Sequence, residues 1–266
     1  MDLHTFVAKV LQESMYVSRE TAFTVITAMD HLRLQCAAWG LELDSVKLSS
    51  LGLYADLLAG YSLANVMGTK DRDQIILGHL LDSLSCTAVA PTWSARSIVD
   101  VGAGGGLPGV PLSIVRPNAS ITLLEATEKK VRFLQHIKTE LELQNLLILH
   151  ARAEEIGRDP AYRETFDLAT ARALAALGVV IEYCAPLLNR DGYIISMKGK
   201  LSEEELSGAV AASEVLRVEV ERVQRVDYQP QFSPKYRHLV ILRKVGVTPK
   251  DFPRKVGLAK KRPLGK

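Results

Sequence analysis

Residues 97–109, SIVDVGAGGGLPG, join a short apolar run to an acid and then to a loop of glycines. This order is typical of a buried strand that ends in a nucleotide-binding turn and opens a helix. Gly102, Gly104 and Gly106 lack a Cβ atom, so their backbone can take a positive φ and lie close to a ligand. The pattern therefore predicts a cofactor site on this loop.

The residues around the glycines indicate which cofactor binds. Asp100 lies in an otherwise apolar strand, and a carboxylate near the loop suits a cationic ligand but would repel a pyrophosphate. Pro108 lacks the N–H that a phosphate would bind in this turn. S-adenosylmethionine (SAM) carries an ammonium and a sulfonium and no phosphate, so we predict SAM. The alternatives are a loop without a ligand, or a dinucleotide, since the dinucleotide pattern G-x-G-x-x-G also fits at Gly104, Gly106 and Gly109.

Two further acidic positions follow apolar runs and are expected at the same edge of the sheet. Glu125 ends the second run, where a carboxylate can accept hydrogen bonds from both ribose hydroxyls. Ala153 and Glu154 follow the third run, where either the backbone amide or the Glu154 carboxylate can read adenine. Each position has a structural alternative, because acids are also favoured at the first turn of a helix.

Hydrophobic periodicity divides the chain into two parts. Apolar residues recur at helical spacing from Leu3 to about Gly60, and again from Asp71 to a point before Pro91. Short apolar runs then alternate with helical stretches, which predicts an open, mostly parallel sheet in an α/β fold. The five runs are Ile98–Val101, Ile121–Leu124, Leu146–Leu149, Phe166–Thr170 and Tyr193–Met197.

Three local patterns complete this secondary structure. A helix is predicted from Glu128 to Leu143, capped by Thr127. Ser202 and Glu205 have the spacing of a capping box at the start of a later helix. Residues Leu216–Val226 and His238–Leu242 are predicted to close the sheet as an antiparallel pair.

Length and composition favour one catalytic domain with accessory segments. The chain has 266 residues, of which 47% are hydrophobic, enough for a large core. We divide it into a helical N-terminal extension (1–92), a SAM-binding domain (93–245) and a basic, irregular C-terminal tail (246–266).

The sequence gives no sign of a membrane span or of a secretory signal. Its apolar runs are too short to cross a bilayer, and Met1–Lys9 mixes charged and apolar residues. We expect a cytoplasmic protein with no membrane partner. The three cysteines are widely spaced in apolar settings, which favours buried thiols over disulfides or a metal site: Cys36, Cys86 and Cys184.

Positive charge is concentrated at the C-terminus. The whole chain has a formal charge of +3, yet residues 246–266 carry seven basic side chains against Asp251 alone. Such a segment is typical of an arm that tracks nucleic-acid phosphates, and its alternative is a solvated terminus. The basic residues are Lys250, Arg254, Lys255, Lys260, Lys261, Arg262 and Lys266.

Several stretches together resemble the bacterial 16S rRNA guanine-N7 methyltransferase family (RsmG, also called GidB). The resemblance extends from about residue 65 to the end of the chain, with Gly78 at a position where the family usually has arginine. The stretches are DVGAGGGLPG from Asp100, LLEATEKKVRFL from Leu123, ARAEE from Ala151, FDLATARALAAL from Phe166, MKGK from Met197, RHLVIL from Arg237, HLLDSL from His79 and FPRKVGLAKKRPL from Phe252.

The resemblance implies a Rossmann-like class I SAM-dependent methyltransferase fold and methylation of guanine N7 in 16S rRNA. Guanine 527 is the expected target and 7-methylguanosine the product. Together with the candidates from the glycine loop and the strand ends, the resemblance gives this expected set of cofactor-binding residues: Asp100, Gly102, Gly104, Gly106, Leu107, Glu125, Ala126, Thr127, Ala153, Glu154 and Arg172. The expected RNA contacts are Lys198, Arg237, Arg254, Lys255, Lys260, Lys261 and Arg262.

The chemistry at N7 explains why no general base stands out in the sequence. N7 is a bare acceptor without a proton, so methyl transfer depends on proximity and orientation. Arg172 is the candidate for orienting the substrate or the cofactor carboxylate. Its alternative role is an ion pair with a neighbouring acid.

The expected partner is 16S rRNA or the 30S ribosomal particle, bound by a monomer. N7 is out of reach inside an A-form helix, so the target guanine must be unpaired or extruded. Other possible functions are methylation of another RNA or a small molecule, or RNA binding as a non-catalytic assembly factor. The basic tail argues against a small-molecule substrate.

Overall fold

The computed structural model describes residues 26–61, 68–228 and 236–265. The first part of the predicted helical leader, before residue 26, lies outside these ranges. The helices are α1 (Ala28–Ala38), α2 (Ser45–Gly60), α3 (Arg72–Ile75), α4 (Leu81–Leu84), α5 (Ala90–Ser94), α6 (Gly109–Val115), α7 (Glu128–Glu140), α8 (Ala153–Ile156), α9 (Leu177–Cys184), α10 (Glu203–Leu216) and α11 (Leu258–Lys261). A π-helical segment, Ile76–Leu80, joins α3 to α4.

Seven strands form one sheet in the order β3-β2-β1-β4-β5-β7-β6. The first five strands are parallel to one another, and β7 is antiparallel to both β5 and β6. This architecture confirms the predicted fold class and the antiparallel closing pair. The strands are β1 (Ser97–Val101), β2 (Ser120–Glu125), β3 (Leu146–His150), β4 (Phe166–Arg172), β5 (Leu188–Lys198), β6 (Val218–Asp227) and β7 (Tyr236–Lys244).

The central strands are mainly apolar because helices cover both faces of the sheet. Ile98 and Leu168 lie in a cluster that includes the N-terminal helices, while Val99 and Ala169 lie in a second cluster on the opposite face. Parallel strands place their carboxyl ends along one edge. The end of β1, the end of β2 and the end of β4 therefore meet there.

Two predicted helices differ in their ends or caps from the helices of the structure. α7 ends at Glu140, and Thr127 is its N-cap residue but makes no capping hydrogen bond through its side chain. Ser202 does cap α10, since its hydroxyl accepts a hydrogen bond from Glu205 N. The carboxylate of Glu205 instead accepts from Leu177 N, so the reciprocal half of the capping box is missing.

The N-terminal helices and the sheet share one hydrophobic cluster. Leu51 and Leu80 are fully buried in the same cluster as Ile121 of β2. In addition, the buried Tyr54 hydroxyl of α2 donates a hydrogen bond to Gly105 O in the glycine loop, at 2.5 Å. The helical extension therefore contributes directly to the loop where the cofactor is expected.

The C-terminal tail, predicted to be an arm that tracks nucleic-acid phosphates, is docked on the sheet domain. Arg163 donates hydrogen bonds to the carbonyl oxygens of Thr248 and Phe252, at 2.9 and 2.8 Å. Arg158 donates to the carbonyl oxygens of Asp251 and Pro253. The one described helix of the tail is the four-residue α11.

Three sequence-based exclusions can be compared with the structure. All three cysteines are free and buried, and burial raises the pKa of the Cys36 thiol to about 12. Across the described ranges, no group of His, Cys, Asp and Glu side chains is arranged to hold a metal ion. No helix in those ranges has the length and apolar character that a bilayer crossing requires.

Candidate active site

The glycines of the loop have different environments. Gly102, Gly104 and Gly106 have φ values of +74°, +60° and +92°, which only glycine adopts without strain. A Cβ on Gly106 would lie 2.6 Å from Val110 Cγ2, so this glycine serves packing. A Cβ on Gly104 would meet nothing closer than the Gly102 carbonyl oxygen at 3.8 Å. Gly104 thus leaves open the space that a bound ligand requires.

Alanine at Gly104 and alanine at Gly106 should have different effects. Each replacement costs about 1–2 kcal/mol of backbone strain at positive φ. Gly106→Ala adds about 1–3 kcal/mol of overpacking against Val110 and the Tyr54 hydroxyl. Urea unfolding should therefore show the larger loss for Gly106→Ala, while calorimetry with SAM should show weaker binding for Gly104→Ala. Unchanged SAM affinity in Gly104→Ala would contradict the ligand-facing role.

Asp100, predicted to bind the cofactor, lies beneath the glycine loop and makes its hydrogen bonds to the protein. Its side chain is only 1% exposed. One carboxylate oxygen accepts a hydrogen bond from Gly109 N at 2.9 Å, and the other accepts from the Thr170 hydroxyl at 3.1 Å. Asp100 therefore joins the start of α6 to β4 and supports the loop from below.

Burial raises the pKa of Asp100 to about 6, although its two hydrogen bonds oppose the shift. In the unfolded chain this carboxyl has an ordinary pKa near 3.8. Between these values the folded protein retains a proton that the unfolded chain loses, so stability falls as pH rises from about 4 to 6. The loss is about 3 kcal/mol at 1.36 kcal/mol for each pKa unit.

Asp100→Asn should remove this pH dependence. We expect the wild type to lose about 3 kcal/mol of unfolding free energy relative to the variant between pH 4 and pH 7. Urea unfolding at several pH values measures this difference, in which the contributions of all other groups cancel. A constant difference across the range would show that Asp100 ionises normally.

Glu125 is oriented by the backbone at the carboxyl end of β2. Its two carboxylate oxygens accept hydrogen bonds from Gly104 N at 2.9 Å and from Thr127 N at 2.7 Å. The carboxylate lies on a cavity of about 370 Å³, where its remaining lone pairs can accept from a ribose. The cavity is lined by Val101, Gly102, Leu124, Glu125, Ala126, Thr127, Lys130, Ala151, Arg152, Ala153, Glu154, Ala173, Leu174, Tyr183, Gly257 and Lys260.

The Glu154 carboxylate, one of the candidate adenine contacts, makes a hydrogen bond within the protein. Its buried carboxylate accepts a hydrogen bond from Gly257 N in the tail, at 2.9 Å. Burial, followed by the neighbouring Glu154 charge, raises the pKa of the Tyr183 hydroxyl on the same wall. The carboxylate thus secures the tail. The backbone amides that open α8, at Ala153 and Glu154, are the groups left for adenine.

Leu107 does not line the cavity and is a core residue. Its side chain, predicted to contact the cofactor, is buried in the cluster shared with the N-terminal helices.

A second, larger cavity of about 950 Å³ adjoins the first. Ala173 lines both cavities, and its φ of +53° is a strained left-handed conformation for a residue with a Cβ. Strain of this kind concentrates at functional sites. The second cavity is lined by Thr69, Asp71, Asp73, Gln74, Leu77, Gly78, His79, Asp82, Arg172, Ala173, Met197, Lys198, Gly199 and Arg237.

Asp82 organises the wall of the larger cavity. One of its buried carboxylate oxygens accepts hydrogen bonds from Arg237 Nε at 2.5 Å and from the Tyr228 hydroxyl at 2.9 Å. The other oxygen accepts from Arg172 Nη1 at 3.0 Å. Arg172 and Arg237 therefore line the cavity as partners of one carboxylate. For Arg172 this ion pair is the alternative role considered from the sequence, and Arg237, expected as an RNA contact, is held by the same acid on the cavity wall.

Lys198 and Arg254, two of the expected RNA contacts, are also paired with acids. Lys198 Nζ lies 2.7 Å from the carboxylate of Glu205 and donates a hydrogen bond to Ala175 O. Arg254 binds Glu182, whose side chain is 0% exposed, through both its backbone N–H and its guanidinium.

The other four basic residues expected to contact RNA remain exposed on the tail: Lys255, Lys260, Lys261 and Arg262. Lys260 also lies on the wall of the smaller cavity. The tail therefore brings positive charge to the mouth of the cavity where we place the cofactor.

Four residues that shape the site were not singled out from the sequence. Asp82 and His79 lie in the stretch HLLDSL. An acid inside an apolar helical run, such as Asp82, is unusual and indicates a buried, paired carboxylate. Glu182 has the same signal between Ile181 and Tyr183. Tyr54 has none, because a tyrosine in an apolar helix is an ordinary core residue.

Comparison with known proteins places the chain among rRNA methyltransferases. Residues 47–239 match the family model GidB, described as rRNA small subunit methyltransferase G. A protein of that name from Rubrobacter xylanophilus is 44% identical over 90% of this chain and 92% of its own length. One from Roseiflexus sp. (strain RS-1) is 39% identical over 89% of this chain and 100% of its own length. A solved SAM-dependent methyltransferase from Aquifex aeolicus has 18% identity and a TM-score of 0.43, covering 56% of this chain and 82% of that one.

Proposed function

The chain belongs to the rRNA small subunit methyltransferase G family, and on that premise we propose that it methylates N7 of a guanine in 16S rRNA. The methyltransferase class follows from family membership, while N7 and the guanine corresponding to position 527 are the proposed details. The observation that supports the proposal most directly is the pair of adjoining cavities. Ala173 separates them at the carboxyl edge of the sheet, so one can hold a cofactor beside the substrate in the other.

SAM is the cofactor of this fold and family, and the smaller cavity fits it. SAM supplies a methyl group bonded to a positively charged sulfonium sulfur. Gly104 leaves the space above the loop open, and Glu125 is held with free lone pairs on the cavity wall. Glu125 would bind the ribose hydroxyls, and the first amides of α8 would bind the adenine.

N7 methylation requires positioning and no proton transfer. Guanine N7 has a lone pair and no hydrogen, so this chain needs no general base beside it. The paired cluster of Asp82, Arg172 and Arg237 gives the larger cavity a fixed polar wall. A fixed wall orients a reactant, and orientation can contribute about 7–11 kcal/mol in the best cases.

The exposed cations of the tail are the proposed contacts to rRNA. Lys255, Lys260, Lys261 and Arg262 would neutralise phosphates and so give salt-dependent binding. The target base must leave its stack to reach the cavity, because N7 is inaccessible in an A-form helix. We propose that the protein acts as a monomer in the cytoplasm on 16S rRNA, either free or within the 30S particle.

Methyl transfer from radiolabelled SAM tests this proposal. Acceptors are 30S particles and protein-free 16S rRNA from cells that lack the protein, followed by nucleoside mass spectrometry. We expect 7-methylguanosine from one or both acceptors. Glu125→Ala should abolish transfer, and the exposed neighbour Glu128→Ala serves as the matched control. Transfer to another atom or to neither acceptor would contradict the proposal.

A further inference from the structure

We propose that the larger cavity binds the target guanine and that His79 selects it by donating a hydrogen bond to its O6 atom. This inference rests on the proposed function and adds a residue that determines which base is accepted. His79 lies in the π-helical segment between α3 and α4, on the wall of the larger cavity.

Arg172 fixes the position of the ring proton of His79. Its Nη2 atom lies 3.0 Å from His79 Nδ1, and its Nη1 atom donates to the His79 carbonyl oxygen at 3.0 Å. A guanidinium has only donors, so Nδ1 must accept this hydrogen bond. The neutral imidazole then carries its proton on Nε2, which becomes a donor.

The surroundings also keep this imidazole neutral. Burial lowers the pKa of His79, and the charges of Arg172 and Arg237 lower it further, while Asp82 opposes them. Nε2 has no hydrogen-bond partner among the residues that the structure describes. His79 thus presents one N–H donor without a partner at the cavity.

Guanine and adenine differ at the position where such a donor matters. Guanine carries the acceptor O6 next to N7, whereas adenine carries an amino donor there. The Nε2 N–H would donate a hydrogen bond to guanine O6. With adenine it would meet the amino group, which is also a donor, so no hydrogen bond would form. Arginine often binds guanine through O6 and N7 together, which would occupy the N7 lone pair. A single donor on O6 leaves N7 free to react.

The ring is held well enough to act as a selector. The His79 carbonyl oxygen accepts a second hydrogen bond from the Ser83 hydroxyl at 2.7 Å. Arg172, which holds both Nδ1 and this carbonyl, is itself anchored on buried Asp82. A donor held in this way can discriminate between bases. A base without an acceptor at this position would leave the His79 N–H buried and unpaired, which costs binding energy.

Base analogues at the target position test the inference. The acceptor is 16S rRNA assembled by ligation, in the free or particle form that supports transfer, with guanosine, inosine or 2-aminopurine at the methylated position. Inosine keeps O6, whereas 2-aminopurine lacks O6 and keeps N7. For wild type we expect inosine to react nearly as well as guanosine, and 2-aminopurine to lose about 10–100-fold in kcat/KM.

His79→Ala should remove most of this discrimination. The guanosine to 2-aminopurine ratio should fall at least about tenfold relative to wild type, because the variant retains only the intrinsic difference in reactivity. The ratio is measured within one enzyme preparation, so partial unfolding cancels. His136→Ala, which changes an exposed histidine on α7, is the matched control and should keep the wild-type ratio.

The outcomes separate this inference from the proposed function. If wild type methylates guanosine RNA at N7 but accepts 2-aminopurine equally well, or if His79→Ala keeps the wild-type ratio, the inference is overturned and the proposed function stands. If wild type forms no 7-methylguanosine on the guanosine RNA, the proposed function fails and the role of His79 fails with it.

Discussion

Asp82→Ala should lower the free energy of unfolding by about 3–5 kcal/mol, the loss typical of a buried ion pair deprived of one partner. Asp82 is buried and binds Arg172, Arg237 and Tyr228 at once. The side chains of Arg172 and Arg237 are only 13% and 16% exposed, so neither guanidinium is well solvated once the carboxylate is gone. The wall of the larger cavity would lose its fixed geometry, and methyl transfer would fall with it.

Urea unfolding and methyl transfer with saturating SAM measure the two effects. Asp73→Ala is the matched control, because Asp73 lines the same cavity but is exposed, and it should cost little stability. Asp82→Asn should lie between wild type and alanine, since one amide oxygen can still accept from one arginine. Equal stability of Asp82→Ala and Asp73→Ala would show that the cluster does not stabilise the fold.

Arg254→Ala should release the tail and weaken SAM binding, although Arg254 does not line the cofactor cavity. Glu182 would keep a fully buried carboxylate whose guanidinium partner is lost, and we expect a stability loss of about 3–5 kcal/mol. Three residues further on, Gly257 N binds Glu154 on the cavity wall. A loosened tail therefore withdraws Gly257 and Lys260 from the cavity as well.

Lys255→Ala is the control for this prediction, because the neighbouring lysine is exposed. It should leave stability and SAM affinity unchanged while slightly weakening binding to rRNA. Calorimetry with SAM and urea unfolding, run on both variants, provide the comparison. Normal SAM affinity in Arg254→Ala would mean that the tail and the cofactor cavity act independently. Truncation after residue 245 should reproduce the loss expected for Arg254→Ala and deepen it.

The sheet was predictable because each buried strand has a recognisable local sequence pattern. Ile98–Val101 and Ile121–Leu124 are buried on both faces, so their apolar runs are continuous and easily separated from the amphipathic α7. The glycine loop was also predictable from a local pattern. Three of its residues have a positive φ, which favours glycine, and glycines are visible in the sequence.

The partners of the charged residues could not be predicted, because they lie far apart in sequence. Arg172 and Asp82 are 90 positions apart, and Arg254 and Glu182 are 72 apart. A sequence shows that a cation is present but not which buried acid the fold brings to it. This is why the ion pairs of Lys198, Arg237 and Arg254, which were expected to contact RNA, could not be predicted.

The hydrogen bond from the Tyr54 hydroxyl to Gly105 O links the N-terminal helices to the cofactor loop through thermodynamics as well as contact. A ligand that binds only the folded loop stabilises every segment on which the conformation of the loop depends. Cofactor binding should therefore also protect α2 against unfolding. The extension then acts as a working part of the cofactor site and not as an appended module.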